Sequence, residues 1–139
     1  MADEDTVTGG CSCGAVRFSL DRSATISAAH CHCRDCQHAT GSAFATFCFV
    51  PATAFHLEGE PTGYTVQGES GKDVVRSFCS TCGSQLFSQV EVMPGVYFVK
   101  TGVMDDASWV EPASSFWSAS AQPWCPVSPD LPSHERNPG

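Results

Sequence analysis

Phe44-Ala-Thr-Phe-Cys-Phe-Val50, closed by Pro51, is aromatic and β-branched without a single charge, and it reads as a strand buried on both faces. Upstream, Ala15 to Leu20 alternates, with Val16, Phe18 and Leu20 on one side and Arg17 and Ser19 on the other, the period of a half-buried strand. Downstream, Phe55 to Leu57, Tyr64 to Val66, Val74 to Phe78, Gln85 to Val90 and Val96 to Thr101 are further strand candidates. Turn signals at Glu60-Pro61, Glu69-Ser70-Gly71 and Pro94-Gly95 separate them. Many short strands imply a mainly β fold. The one clear helical stretch is Arg34 to Thr40, ended by Gly41. No repeat or linker divides the chain before its end, so residues 1–124 read as one domain. Residues 125–139 read as a proline-rich tail that runs extended over the surface or frays.

A chain of 139 residues has a one-domain length and can bury roughly two-thirds of its unfolded surface. Seven Lys and Arg against fifteen Asp and Glu give a formal charge of -8, which repels a phosphate backbone and argues against nucleic-acid binding. No apolar run approaches the ~20 residues of a membrane span. The opening MADEDTVTGG is acidic where a signal peptide needs a basic start, so the expectation is a soluble, cytoplasmic protein with no membrane partner.

Nine cysteines allow either a disulfide scaffold or thiolate metal sites. Seven fall into tight groups: Cys11 and Cys13, then Cys31, Cys33 and Cys36, then Cys79 and Cys82. Disulfide frameworks spread their cysteines and metal sites cluster them, so metal is the preferred reading. Gly14 and Gly83 directly follow the outer groups and relieve a tight backbone, so CSCG and CSTCG each look like half of one tetrahedral four-cysteine site. Four thiolates leave zinc no open position. Such a site is structural, and its binding energy of roughly 10–16 kcal/mol becomes folding energy.

Cys31, Cys33 and Cys36 supply three thiolates from one short segment and leave a fourth position unspecified. An open position is the arrangement of catalytic zinc, and closure by a histidine makes a structural site. His30, His32, His38 and His56 are candidates by type. In extended chain His30 and His32 point away from the cysteines they alternate with, whereas His38, two residues past Cys36, can swing in. Three thiolates leave a zinc centre at net charge -1, a weak Lewis acid ill suited to hydrolysis. A thiol entering the open position would lose its proton, well below its free pKa of ~8.5, and stay nucleophilic. Its addition to an aldehyde, or the reverse cleavage, follows. A redox reading of Cys33 and Cys36 as a dithiol lacks the βαβ pattern it expects.

The motifs G-C-S-C-G at Gly10 to Gly14, C-H-C-R-D-C-Q-H-A-T-G-S-A-F at Cys31 to Phe44 and R-S-F-C-S-T-C-G at Arg76 to Gly83 resemble those of the glutathione-dependent formaldehyde-activating enzymes, a family that includes relatives of centromere protein V. The resemblance spans roughly Gly9 to Trp124 and takes in F-H-L-E-G-E at Phe55 to Glu60, T-G-V-M-D-D at Thr101 to Asp106, Pro112 and Trp124. It implies a β-tent of several short, coiled antiparallel sheets with two zinc ions. Cys11, Cys13, Cys79 and Cys82 would hold a structural zinc, and Cys31, Cys33 and Cys36 a catalytic one. The implied activity is a carbon–sulfur lyase, joining glutathione and formaldehyde as S-(hydroxymethyl)glutathione or reversing that. Val103-Met104 departs from the Leu expected before the Asp pair.

Glutathione carries two carboxylates, so its pocket calls for cations. Arg34, inside the three-cysteine loop, is the first candidate; Lys72, Arg76 and Lys100 follow, each otherwise an ordinary surface charge. Gly41 and Ser42 either let substrate approach the metal or form a plain turn. Cys48 reads as a small core residue and Cys125 as a bystander thiol. Trp109, Trp117 and Trp124 either wall a pocket or pack elsewhere. The competing classes are a zinc-thiolate enzyme on another small molecule, a zinc-stabilised binding module without chemistry, and a methionine sulfoxide reductase on a related scaffold. The last needs a reactive thiol outside the clusters, and neither Cys48 nor Cys125 has such a context.

Overall fold

The apolar stretch that opens at Phe44 becomes β4 (Ala45–Pro51), the third strand of a seven-stranded sheet in the computed structural model. Residues 5–68 and 70–137 are described. Met1 to Glu4, Glu69 of the Glu69-Ser70-Gly71 turn, and Pro138 and Gly139 of the tail lie outside the described residues. The strands are β1 (Thr6–Gly10), β2 (Arg17–Asp21), β3 (Ser27–Cys31), β5 (Phe55–Glu58), β6 (Thr62–Gln67), β7 (Asp73–Phe78), β8 (Gln85–Val90), β9 (Val96–Lys100) and β10 (Ser114–Phe116), with one α-helix, α1 (Arg34–Thr40). The large sheet runs β10-β3-β4-β9-β8-β7-β6, and a small one runs β1-β2-β5. The fold is mainly β, as the spacing of strand signals predicts.

β4 lies between β3 and β9, and a core cluster covers each of its faces. Cys48 and Val50 face one core with Ala28, Phe87 and Val99, and the small sheet closes it with Val7, Phe18, Leu20 and Phe55. Phe47 and Phe49 point the other way, into a second cluster with Ala29, Cys31, Cys36 and Phe98. Leu20 is 1% exposed, so truncation to Ala would cost about 2–5 kcal/mol. Met104, 7% exposed, fills the same core and bridges Gly9; as a near-isovolume substitute for leucine it does what the expected Leu would do.

Three strands escape the sequence reading. β1 has only Thr6-Val7-Thr8 before its glycines, β3 is mostly Ala and Ser, which carry little strand propensity, and β10 has three residues. β10 pairs with β3 in parallel, the one departure from antiparallel pairing within the named strands. Its other side is taken by the chain after Cys125: Ser115 N–H donates to Pro132 O at 2.9 Å and accepts from His134 N–H at 2.9 Å through its own carbonyl. No helix among the described residues is long and apolar enough to cross a membrane.

Candidate metal centres

Two turns meet at the first cysteine group, one after β1 and one after β7. Each is tightened by backbone bonds, Gly14 N–H to Cys11 O at 3.2 Å and Gly83 N–H to Cys79 O at 2.7 Å, and each glycine has a left-handed φ, 82° and 81°. The turns are joined by serines: Ser12 N–H donates to Ser84 Oγ at 3.0 Å, and the two hydroxyls lie 3.3 Å apart. All four sulfurs fall within 4.8 Å of one another. Four sulfurs around one zinc at about 2.3 Å stand about 3.8 Å apart. Cys11 to Cys13 at 3.6 Å and Cys13 to Cys79 at 3.7 Å lie close to that spacing, so the donor set fits a tetrahedral metal. The Val16 N–H, 3.3 Å from Cys11 Sγ, draws that thiol below its ordinary value. The Ser84 hydroxyl and N–H draw Cys82 down to about 5. None of the nine cysteines is disulfide-bonded.

The second group is built where β3 ends and α1 begins. Cys31 closes the strand, Cys33 caps the helix by accepting the Cys36 N–H at 3.2 Å, and Cys36 is buried in the first turn. The three sulfurs lie within 4.8 Å of one another, and no histidine among the described residues joins them. His30 turns to Thr46, Nδ1 to Oγ1 at 2.7 Å; His32 stacks on Phe44 at 4.8 Å; His38 and His56 are exposed. The group thus offers three ligands and an open side. Gln37 fixes the segment, donating through Nε2 to His32 O at 2.8 Å and to Ser120 O at 3.0 Å, while its Oε1 accepts from Gln122 and Arg34. Beyond its place beside Cys36, nothing in the sequence marks it.

Two cations stand against this group. Arg76 on β7 reaches Cys36 Sγ at 3.7 Å, and Lys100 at the end of β9 is 7% exposed with Nζ 5.2 Å from the Phe47 ring centre. Hydrogen bonds from Cys31 and then Cys33 hold the Cys36 thiol low, and the charges of Arg76 and Lys100 hold it lower. Burial pulls Lys100 below its ordinary value, opposed by the charge at Cys36. The sequence ranks both cations behind Arg34; strand alternation was the signal available, since Val74 and Arg76, like Phe98 and Lys100, share one face.

A cavity of about 690 Å³ opens over that face, lined by all three cysteines and by Arg34, Lys72, Arg76 and Lys100. Strand register lines up the rest: Ser27, Phe49, Phe98, Ser88 and Arg76 are successive partners across β3, β4, β9, β8 and β7. All five line the cavity. Gly41 and Ser42 do not line it; Gly41 caps α1, its N–H 2.8 Å from Gln37 O, and both residues are exposed. Trp117 lines the cavity with φ at 62°, a left-handed conformation costing of order 1–3 kcal/mol in a non-glycine residue. Bonds to Arg136 O at 3.2 Å and Asn137 Oδ1 at 2.8 Å hold it there. Trp109 packs on the core and Trp124 is exposed. Cys48 is fully buried, its thiol pushed up to about 11 by burial.

The chain is thus a mainly β scaffold with two cysteine groups that could each hold a metal ion, one of them open to a cavity. Residues 6–120 match the family described as glutathione-dependent formaldehyde-activating enzyme, and the chain belongs to that family. It also resembles the crystal structure of a Rhodobacter sphaeroides protein, with a TM-score of 0.57 and 19% identity over 91% of this chain and 99% of that one, a likeness of fold.

Proposed function

We propose that this protein is a zinc-dependent carbon–sulfur lyase that adds a thiol, glutathione or one like it, to an aldehyde such as formaldehyde, and reverses the addition. The observation that carries this reading is the three-sulfur group with an open side on the cavity. The proposal includes two zinc ions per chain, a structural one at Cys11, Cys13, Cys79 and Cys82 and a catalytic one at Cys31, Cys33 and Cys36, on a β-tent fold. Residues 1–124 form the metal-binding domain and 125–139 the tail, in a cytoplasmic protein. At the three-cysteine group zinc would lower the pKa of a thiol entering its open position, so that the thiol releases its proton to solvent and its sulfur stays nucleophilic.

The protein's own side chains do the rest. Arg76 and Lys100 balance the charge of three thiolates in a site where burial strengthens every such interaction. Arg34 and Lys72, exposed on the cavity wall, meet substrate carboxylates. Lys100 Nζ steadies the negative oxygen that develops as the carbon–sulfur bond forms. The carbonyl π pair moves to oxygen, which takes from solvent a proton equal to the one the thiol gave up, so atoms and electrons balance without an oxidant.

Absorption of the cobalt-substituted protein, titrated with glutathione and then with cysteine, tests the reading. Glutathione is expected to add a thiolate charge-transfer band and shift the d–d spectrum. Indifference to every thiol refutes the open site and favours a binding module.

A further inference from the structure

The cavity is built for more than a one-carbon aldehyde and a polar tripeptide. Resting on the lyase reading above, we propose that the aldehyde this protein handles carries an apolar chain or aromatic ring, which lies on the Phe47, Phe49, Phe98 and Phe116 wall. Three observations converge on it.

The first is register. Cys31 is the partner of Ala45 on β4, so Phe47 and Phe49 follow on the same face about 7 and 14 Å along the strand. An apolar group attached to a carbonyl carbon at the sulfurs therefore has its wall in line. The second is the wall itself, four packed aromatic rings in which Phe98 and Phe116 are half-buried and Phe47 and Phe49 back them from the core. Phe47 stacks on Phe98 at 5.2 Å, Phe49 meets Phe98 edge-on at 4.7 Å, and Phe116 stands 6.3 Å from Phe49. Laying the amides of a peptide on it would strip them of water without a partner. Formaldehyde has no group to reach it. The third is the mouth. Ile26, Val92 and Met93 line the same cavity and are exposed by 57%, 65% and 37%, in a chain of net charge -8 that has every reason to keep its surface polar. The cavity, about 690 Å³, falls in the roughly 300–1,000 Å³ range that encloses larger organic ligands. The cations beside Cys36 hold the polar end, and the aromatic wall takes the apolar one.

The test compares binding of S-hexylglutathione and S-methylglutathione to the full chain by calorimetry, alongside turnover of hexanal and formaldehyde with glutathione by the zinc-loaded protein. The hexyl thioether is expected to bind about thirtyfold more tightly or better, and hexanal to show the higher kcat/KM. Phe98→Ala is expected to bring hexyl binding down toward methyl; if that variant fails to fold, the wild-type comparison still decides. Thioethers that bind alike, with formaldehyde turned over, overturn this inference alone. Failure to turn over either aldehyde overturns the lyase reading, and this inference with it.

Discussion

The two cysteine groups set the same side chain in opposite surroundings. Cys11, Cys13, Cys79 and Cys82 come from two distant turns, with Cys13 and Cys82 exposed, and their neighbours are serine hydroxyls and backbone N–H groups. Cys31, Cys33 and Cys36 come from one segment, border a cavity, and have Arg76 and Lys100 as neighbours. On the proposed reading, ligand count and surroundings, rather than ligand type, separate a fastener from a reactive centre.

The sharpest way to break that contrast is a serine in each group. Cys82→Ser removes one of four ligands from the proposed structural zinc, and such sites contribute roughly 10–16 kcal/mol, as much as the whole stability of a domain. The expected outcome is an unfolded chain by circular dichroism at room temperature. Cys33→Ser retains the helix cap, since serine caps well. Its melting temperature is expected to move by less than about 4 °C, while lyase turnover falls by more than the roughly 10–100-fold that loss of an outer contact costs. Equal damage from both variants would end the division of roles.

Chelation sharpens the same point. Zinc release followed colorimetrically is expected in two phases, the first abolishing turnover and the second unfolding the chain. A third measurement concerns protons. Hydrogen bonds from Cys31 and Cys33 hold the Cys36 thiol low and the charge of Arg76 adds to them, so Arg76→Gln raises that pKa and lets protons displace a bound metal at higher pH. The pH midpoint of zinc loss from the three-cysteine group is expected to rise by about one unit, with the four-cysteine midpoint unchanged.

The smallest effect lies beside the four-cysteine turn. Asp105 accepts from Thr8 Oγ1 at 2.7 Å and from Arg17 at 2.6 Å, tying β1 and β2 to the loop after β9. Those partners, Arg17 first, lower its pKa. Its contribution is therefore present above the ordinary carboxylate range and lost as pH falls through the lowered folded value. Asp105→Asn is expected to cost about 0.2–1 kcal/mol in thermal melts at neutral pH, and little at the acid end.

Much of this was legible along the chain because the signals are local. α1 begins after Cys33 and stops at Gly41, as the sequence reads, and the apolar run at Phe44 did mark a strand covered on both sides. The cysteine groups declared themselves by spacing. What could not be read depends on partners far apart. Arg76 meets Cys36 across 40 residues, and the Phe49–Phe98–Ser88–Arg76 row exists only because four strands pair in that register. Gly41 and Ser42, named from their place after the loop, end the helix away from the cavity, while Gln37 anchors the loop through Ser120 and Gln122.

The meeting of Cys13 with Cys79 spans 66 residues, and the whole three-cysteine segment lies inside that loop. A metal gathered by the outer turns while the chain is still unfolded closes the loop in advance and removes its entropy from the search that follows, an entropy that grows as about (3/2)RT ln n. Slow, non-local strand pairing then takes place within a tethered chain. If the proposed structural metal binds there, it would set an order of assembly, in which metal supply governs how fast the three-cysteine group is reached as well as how firmly it is kept.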